Sequence, residues 1–151
     1  MRGVRVSGAL LIMVVVATVS GCGDRPEDLA TVTSRPLASP NLLGMEIKHE
    51  VESPGTPMED ASVWRQYESS DLTGRRLLDA IRQVGLDAGW TSWSCDKNGR
   101  TWLLRMRDGN PGLWAHIQVD GRVADVEVGK DRPGSHSGPS DFASEDAFSC
   151  S

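Results

Sequence analysis

Apolar residues of this chain recur first at helical spacing and then at strand spacing. The helical stretch lies between Ser70 and Gly89, where a serine or threonine can cap the start and a glycine can end the run. Its apolar positions are Leu72, Leu77, Leu78, Ile81 and Val84. Because these positions fall on one face of a helix, the pattern predicts a single amphipathic helix.

Two dipeptides after this helix predict β-hairpins. Asn98-Gly99 and Asp120-Gly121 are strong two-residue turn signals between alternating segments. Turns centred on them pair Cys95 with Trp102, and a third turn over 108–111 joins the two hairpins into a four-stranded antiparallel meander. The apolar positions predicted to face the helix are Trp93, Cys95, Trp102, Leu104, Met106, Leu113, Ala115, Ile117, Val126 and Val128.

The predicted fold class is therefore α+β, with one amphipathic helix packed on four strands in residues 70–151. Residues 22–69 contain five prolines among many polar residues, which predicts a flexible tether. Alternation over 44–51 leaves a short additional strand open. The glycine, proline and serine residues after Val128 predict a loose C-terminal tail.

The sheet face turned away from the helix is the candidate binding face. In the predicted registers Arg105 lies opposite Trp114, His116 opposite Asp125, and Trp114 opposite Glu127. Tryptophan and arginine are frequent anchors of protein interfaces, so this set favours protein binding. Two alternatives remain open: these pairs solubilise an exposed sheet, or the tether or tail covers Trp114.

Catalysis is not expected from this set. A histidine opposite an aspartate, His116 and Asp125, resembles half of a catalytic dyad. The hairpin registers, however, place no serine or cysteine beside them to be activated. No glycine-rich phosphate loop is present in the sequence. We therefore predict a non-enzymatic protein with no cofactor and no metal site.

The first residues of the chain have the pattern of a secretory signal. Arg2 and Arg5 precede an apolar run over 9–17, and Val19-Ser20-Gly21-Cys22 follows. Residues 1–21 are therefore predicted to be a signal peptide. An uncleaved membrane helix is the alternative, but the apolar run is shorter than the ~20 residues that span a bilayer.

This segment resembles that of bacterial lipoproteins, whose lipobox has a branched or leucine residue, two small residues and then cysteine. Valine in the first place, Val19, is less typical than leucine. The resemblance implies that Cys22 receives a diacylglycerol on its thiol and becomes the first residue after cleavage, with an amino group that is open to further acylation. Two or three acyl chains would anchor the protein stably in the cell membrane, facing the extracytoplasmic side.

Charge and cysteine usage fit export. Removal of the two signal-peptide arginines changes the formal net charge from -5 to -7, which disfavours nucleic acid as a partner. Apart from Cys22, the cysteines are Cys95 and Cys150, and an even pair in an oxidising compartment favours a disulfide. A catalytic or metal-binding thiolate is the alternative, although neither cysteine has a histidine or another cysteine as a sequence neighbour.

Three functional hypotheses follow for a membrane-anchored lipoprotein. The first is a domain that binds another envelope or extracellular protein through the exposed sheet face. The second is a structural or assembly lipoprotein of the envelope. The third is a small-ligand sensor with a pocket between helix and sheet. An uncovered face around Trp114 favours the first hypothesis, and an apolar cavity under the helix favours the third.

Overall fold

A computed structural model describes residues 23–108 and 112–132 of the chain. In these residues two α-helices lie on one face of a six-stranded antiparallel sheet. The helices are α1 (Pro26–Thr33) and α2 (Arg75–Asp87), and two short 3-10 turns occupy Pro36–Ala38 and Leu42–Gly44. The strands are β1 (Glu46–Ser53), β2 (Ala61–Glu68), β3 (Thr91–Asn98), β4 (Thr101–Arg107), β5 (Leu113–Asp120) and β6 (Val123–Lys130).

The strand order across the sheet is β1-β2-β6-β5-β4-β3. Helix α2 connects β2 to the far edge strand β3, so it crosses the face of the strands that lie between them. Its buried residues Leu77, Leu78 and Ile81 recur at helical spacing and pack against the sheet. Gly85 is buried as well, and a Cβ placed there would lie 2.7 Å from Cε of Met106 on β4. The absent side chain therefore allows a close approach of helix to sheet.

The inner sheet face supplies most of the remaining core, as the alternation of apolar residues requires. On β5 and β6 every second residue is buried, which gives the two central strands their clean inside and outside faces. Val32 of α1 and Leu37, Ala38 and Leu42 of the 3-10 turns join the same core. The segment before β1 is thus part of the hydrophobic layer above the sheet.

The four-stranded meander with one helix is therefore wrong: the sheet has six strands, and residues predicted to form a tether supply two of them together with α1. The predicted tether has prolines at structurally permitted positions. Pro26 is at the first turn of α1 and Pro36 begins a 3-10 turn, where a missing N–H costs no helical hydrogen bond.

The sequence pattern did not predict strand β2, because an arginine occupies one of its inward positions. Arg65 is 5% exposed, and its guanidinium donates hydrogen bonds to Glu50, to the Ala38 carbonyl and to Glu52 at 3.2 Å. The neighbouring inward residue Tyr67 donates its hydroxyl to the Ser39 carbonyl at 2.8 Å. Two polar tips on β2 therefore fasten the 36–39 segment to the sheet.

Both hairpins turn one residue later than predicted. Asn98 pairs with Thr101, and Asp120 pairs with Val123, so each turn consists of a glycine followed by an arginine. Gly99 and Gly121 have φ of 60° and 58°. A glycine with positive φ at the first central position is typical of a type II′ turn, whereas the prediction placed it second.

This slip displaces each cross-strand pair by two residues and leaves most faces unchanged, because side chains alternate with period two. Cys95 lies opposite Leu104, not Trp102, and Ala115 lies opposite Val128, not Val126. The exception is Trp93, which was predicted to face the helix.

Trp93 faces outward because β3 has a bulge there. Ser92 pairs with Met106 and Ser94 with Arg105, which leaves Trp93 as the extra residue. Its ring lies 5.5 Å from the Arg105 guanidinium carbon and 5.2 Å from that of Arg107, and both arginines belong to the outer side of β4. The bulge therefore transfers one tryptophan from the predicted core to the opposite face.

Candidate functional site

The sheet face that α2 does not cover carries the candidate site, and we call it the outer face. Its side chains form rows across β2, β6, β5 and β4 because these four neighbouring strands are antiparallel and in continuous register. One row runs through Trp64, Glu127, His116 and Arg105, from β2 to β4. The adjacent row toward the start of β5 contains Gly129, Trp114 and Arg107.

The position of the Trp114 indole depends on a glycine in the neighbouring strand. Gly129 lies directly opposite Trp114, and a Cβ placed on it would lie 2.6 Å from Cε2 of the indole. The ring can lie across β6 only because that side chain is absent. The Trp114 and His116 ring centroids are 4.7 Å apart with a 34° angle between planes. The two rings thus form one aromatic surface along β5.

Arginines border this aromatic surface on the β4 side. Arg107 lies opposite Trp114, and Arg105 lies opposite His116. Both guanidinium groups are within cation-π distance of the Trp93 ring. Contact with an aromatic face restrains a guanidinium and leaves its N–H groups able to bind a partner, so this border is suited to recognise carboxylates.

A groove of about 280 Å³ lies in the middle of the outer face. Its walls combine one indole, one aliphatic side chain and several polar groups, which is a composition typical of recognition sites. The outward-facing residues that line it are Trp64, Leu103, Arg105, His116, Gln118, Asp125 and Glu127.

Charge is distributed unevenly across the groove. Its cation is Arg105 on β4, and its carboxylates are Asp125 and Glu127 on β6, with His116 between them on β5. Burial lowers the pKa of His116, and the Arg105 guanidinium lowers it further. The imidazole is therefore mostly uncharged at neutral pH. The groove has one basic and one acidic side, separated by a neutral ring.

Burial also raises the pKa of Glu127, and the Asp60 carboxylate contributes to the same direction. Asp125 is in a different setting, because it accepts a hydrogen bond at 3.0 Å from Nε2 of Gln66 on β2. Asp125 is thus held by β2, a strand that the sequence did not predict.

All five residues predicted for the binding face lie on the outer face: Arg105, Trp114, His116, Asp125 and Glu127. Their pairings differ from the prediction. Arg105 lies opposite His116, His116 opposite Glu127, and Asp125 opposite Gln118. The dyad considered for His116 and Asp125 therefore has no direct cross-strand basis.

Two tryptophans of the face were missed. Trp64 faces outward between the inward residues Val63 and Arg65 of β2, and the inward arginine obscured this alternation in the sequence. Trp93 was assigned to the core because a bulge has no clear sequence signal. The period-two pattern of residues 61–68 could have revealed the first but not the second.

The remaining predicted sites lie partly outside the described residues. Cys22, the signal peptide and Cys150 are outside them, as are the turn residues 109–111 and the C-terminal segment 133–151. Cys95 lies on β3, partly buried beside the core. Its pairing with Cys150 stays a prediction. Within residues 23–108 and 112–132, no group of three or more His, Cys, Asp or Glu side chains is arranged to hold a metal ion.

Comparison with known proteins gives no relative: no family model, no curated protein and no solved structure matches this chain. The helices in the described part of the chain are too short or too polar for any of them to cross a bilayer.

Proposed function

We propose that this chain is an exported, lipid-anchored protein whose domain binds another envelope or extracellular protein through the outer face. The lipid anchor is Cys22, on the resemblance of residues 19–22 to a lipobox. The bound protein contacts Trp64, Trp114, His116 and the groove between them. The observation that carries the binding proposal is the Trp114 indole lying across Gly129 and opposite Arg107, with Arg105 and Arg107 both within cation-π distance of Trp93.

That arrangement differs from what solubility alone would require. An exposed sheet face is kept soluble by charged and small polar side chains, whereas this face presents Trp64 and Trp114 in two neighbouring rows, with Trp93 beside the arginines of β4. Large aromatic side chains with few rotatable bonds lose little entropy on binding. The face is thus rigid, amphipathic and suited to bury area against a partner.

The charge distribution specifies the chemistry of the partner. Arg105 and Arg107 on β4 favour a carboxylate, and Asp125 and Glu127 on β6 favour a cationic side chain. The partner surface therefore carries an acidic and a basic group about two strands apart, which is about 10 Å. Between them an apolar group occupies the aromatic centre of the groove.

Photocrosslinking in intact cells tests this proposal. A photoreactive amino acid at Gln118, which is exposed at the groove, is expected to give a discrete protein adduct. The control position is Arg100, in a hairpin turn with an 88% exposed side chain. Reversing the charge of the border with Arg105→Glu and Arg107→Glu should abolish the adduct from position 118. Equal adducts from positions 118 and 100, or an adduct that survives the reversal, would overturn the binding face.

The anchor is tested separately by metabolic labelling with an alkyne palmitate. The natural chain should incorporate the label, and Cys22→Ser should not. Incorporation that persists in Cys22→Ser would show that another residue carries the lipid. No incorporation in either chain would refute the lipid anchor.

A further inference from the structure

The chain is attached to its fold almost immediately after Cys22. A Cβ placed on Gly23 would lie 3.2 Å from Cδ of Pro57, so Gly23 already lies against the turn between β1 and β2. Arg25 donates a hydrogen bond at 2.8 Å to the Glu59 carbonyl of that turn and forms an ion pair at 2.8 Å with Asp28. Helix α1 begins at the next residue.

This attachment leaves no room for a spacer. Two residues, Gly23 and Asp24, lie between Cys22 and Arg25, so the two α-carbons are three steps and about 11 Å apart at full extension. We infer that the end of the domain formed by α1 and the 54–60 turn rests directly on the lipid bilayer. The inference rests on the proposed acylation of Cys22.

The side chains at that end fit a position at the lipid headgroups. Met58 is the most exposed large hydrophobic residue of the described chain, at 76%. The Arg132 guanidinium donates a hydrogen bond at 2.7 Å to the Met58 carbonyl, whereas the Arg25 side chain is only 11% exposed and holds the turn to α1. An apolar tip beside a guanidinium group suits the boundary between acyl chains and phosphates.

Charge alone would not hold this end on a membrane, because Glu59 and Asp60 belong to the same turn and Asp131 directly precedes Arg132. Attraction of Arg132 to anionic lipid is offset by these carboxylates. The covalent acyl chains therefore supply the binding energy, and the short link supplies the orientation.

The strand pairing then determines which end of the outer face lies nearer to the membrane. Trp114 is one residue from the start of β5, next to the row that contains Ala61 and Lys130. The hairpin turns at Gly99 and Gly121 lie at the opposite end of the strands, about 20 Å from Trp114. The Trp114 end of the binding face is thus the membrane-proximal end.

Fluorescence quenching of the acylated protein in phosphatidylcholine vesicles tests this orientation. A fluorescent amino acid is placed at Met58 in one variant and at Arg100 in another, and a nitroxide on the lipid headgroups serves as quencher. We expect at least twofold stronger quenching at position 58 than at position 100. Equal quenching, or stronger quenching at position 100, would overturn the inference.

The matched control is a chain with 20 glycine and serine residues inserted between Gly23 and Asp24. Such a linker has a root-mean-square length of about 25 Å, so the difference between positions 58 and 100 should disappear. A difference that persists with the linker would show that lipid affinity, not the short link, sets the orientation. Mass spectrometry of Cys22 distinguishes the two proposals: an unacylated cysteine refutes the anchor itself, whereas an acylated cysteine with equal quenching refutes only the orientation.

Discussion

The indole of Trp114 lies over the α-carbon of Gly129 in the neighbouring strand. Glycine within a strand is usually destabilising, because it packs no side chain and loses more backbone entropy on folding. Here the tryptophan supplies the missing packing and gains a fixed orientation. The two residues form one unit, which gives the first prediction.

Gly129→Ala is expected to displace the indole and to destabilise the protein by about 1–3 kcal/mol, the usual cost of overpacking a filled position. The measurement is urea unfolding at neutral pH. The same substitution in a Trp114→Ala background should be neutral or slightly stabilising, because alanine then restricts the unfolded chain without a clash. If Gly129→Ala costs the same in both backgrounds, the two residues are not coupled and the glycine has another role.

Sequence patterns predicted the faces of the central strands better than their pairings. The helix and the last four strands lie where periodicity placed them, because β4, β5 and β6 alternate cleanly. The hairpin registers were displaced because Asn98 and Asp120 end their strands and do not enter the turns. A displacement by two residues preserves each face, so the five predicted binding residues still lie together.

What sequence reasoning could not find depended on tertiary contacts. Alternation over 44–51 left only a short strand open where β1 lies at the sheet edge, and an inward arginine interrupts the alternation of apolar residues in β2. Arg65 is tolerated inside only because Glu50, Glu52 and the Ala38 carbonyl meet it there. Those partners come from separate segments, and their convergence is not visible in the sequence.

The second prediction concerns this buried arginine. Arg65→Met removes the donors that bind two carboxylates and one backbone carbonyl, which leaves the carbonyl buried and without its partner. The side chains of Glu50 and Glu52 remain 41% and 39% exposed, so water can solvate them. We expect a loss of about 2–3 kcal/mol of unfolding free energy, below the cost of leaving a fully buried charge unpaired.

The control for this loss is Arg76→Met on the exposed side of α2, which should change stability by less than about 0.5 kcal/mol. Both variants are compared by urea unfolding. An Arg65→Met protein as stable as the Arg76→Met protein would contradict the role given to Arg65 in fastening the 36–39 segment.

The third prediction uses the single tyrosine of the chain. Burial raises the pKa of Tyr67 to about 12, the nearby Arg65 partly opposes this shift, and Glu50 contributes to it. Absorbance at the phenolate band should therefore show ionisation near pH 12 in the folded protein. A midpoint near pH 10 while circular dichroism still shows a folded chain would contradict the buried position.

The raised pKa also makes stability depend on alkaline pH. The unfolded chain ionises near pH 10, so its phenol releases a proton that the folded chain still holds. Stability is full below pH 10 and decreases as the pH rises toward 12, by roughly 3 kcal/mol in total. Tyr67→Phe should lack this decrease, although it loses about 1 kcal/mol at neutral pH with the hydrogen bond to the Ser39 carbonyl.

The fourth prediction is that the imidazole of His116 titrates below the usual histidine range. Burial is the larger cause and the Arg105 guanidinium the smaller one. Because the folded chain binds this proton more weakly than the unfolded chain, His116 should reduce stability as the pH falls through about 6.5. Proton NMR of the imidazole gives its pKa directly, with the resonance assigned by its loss in His116→Gln.

Arg105→Gln removes the electrostatic cause and leaves the burial, so the pKa of His116 should rise but stay below that of the unfolded chain. Arg122→Gln is the control, since Arg122 is exposed in the β5–β6 turn, several residues along the sheet from the ring. We expect it to leave the titration unchanged. If the two substitutions shift the pKa equally, the effect comes from the overall charge of the protein, and the close opposition of His116 and Arg105 on the outer face does not govern this histidine.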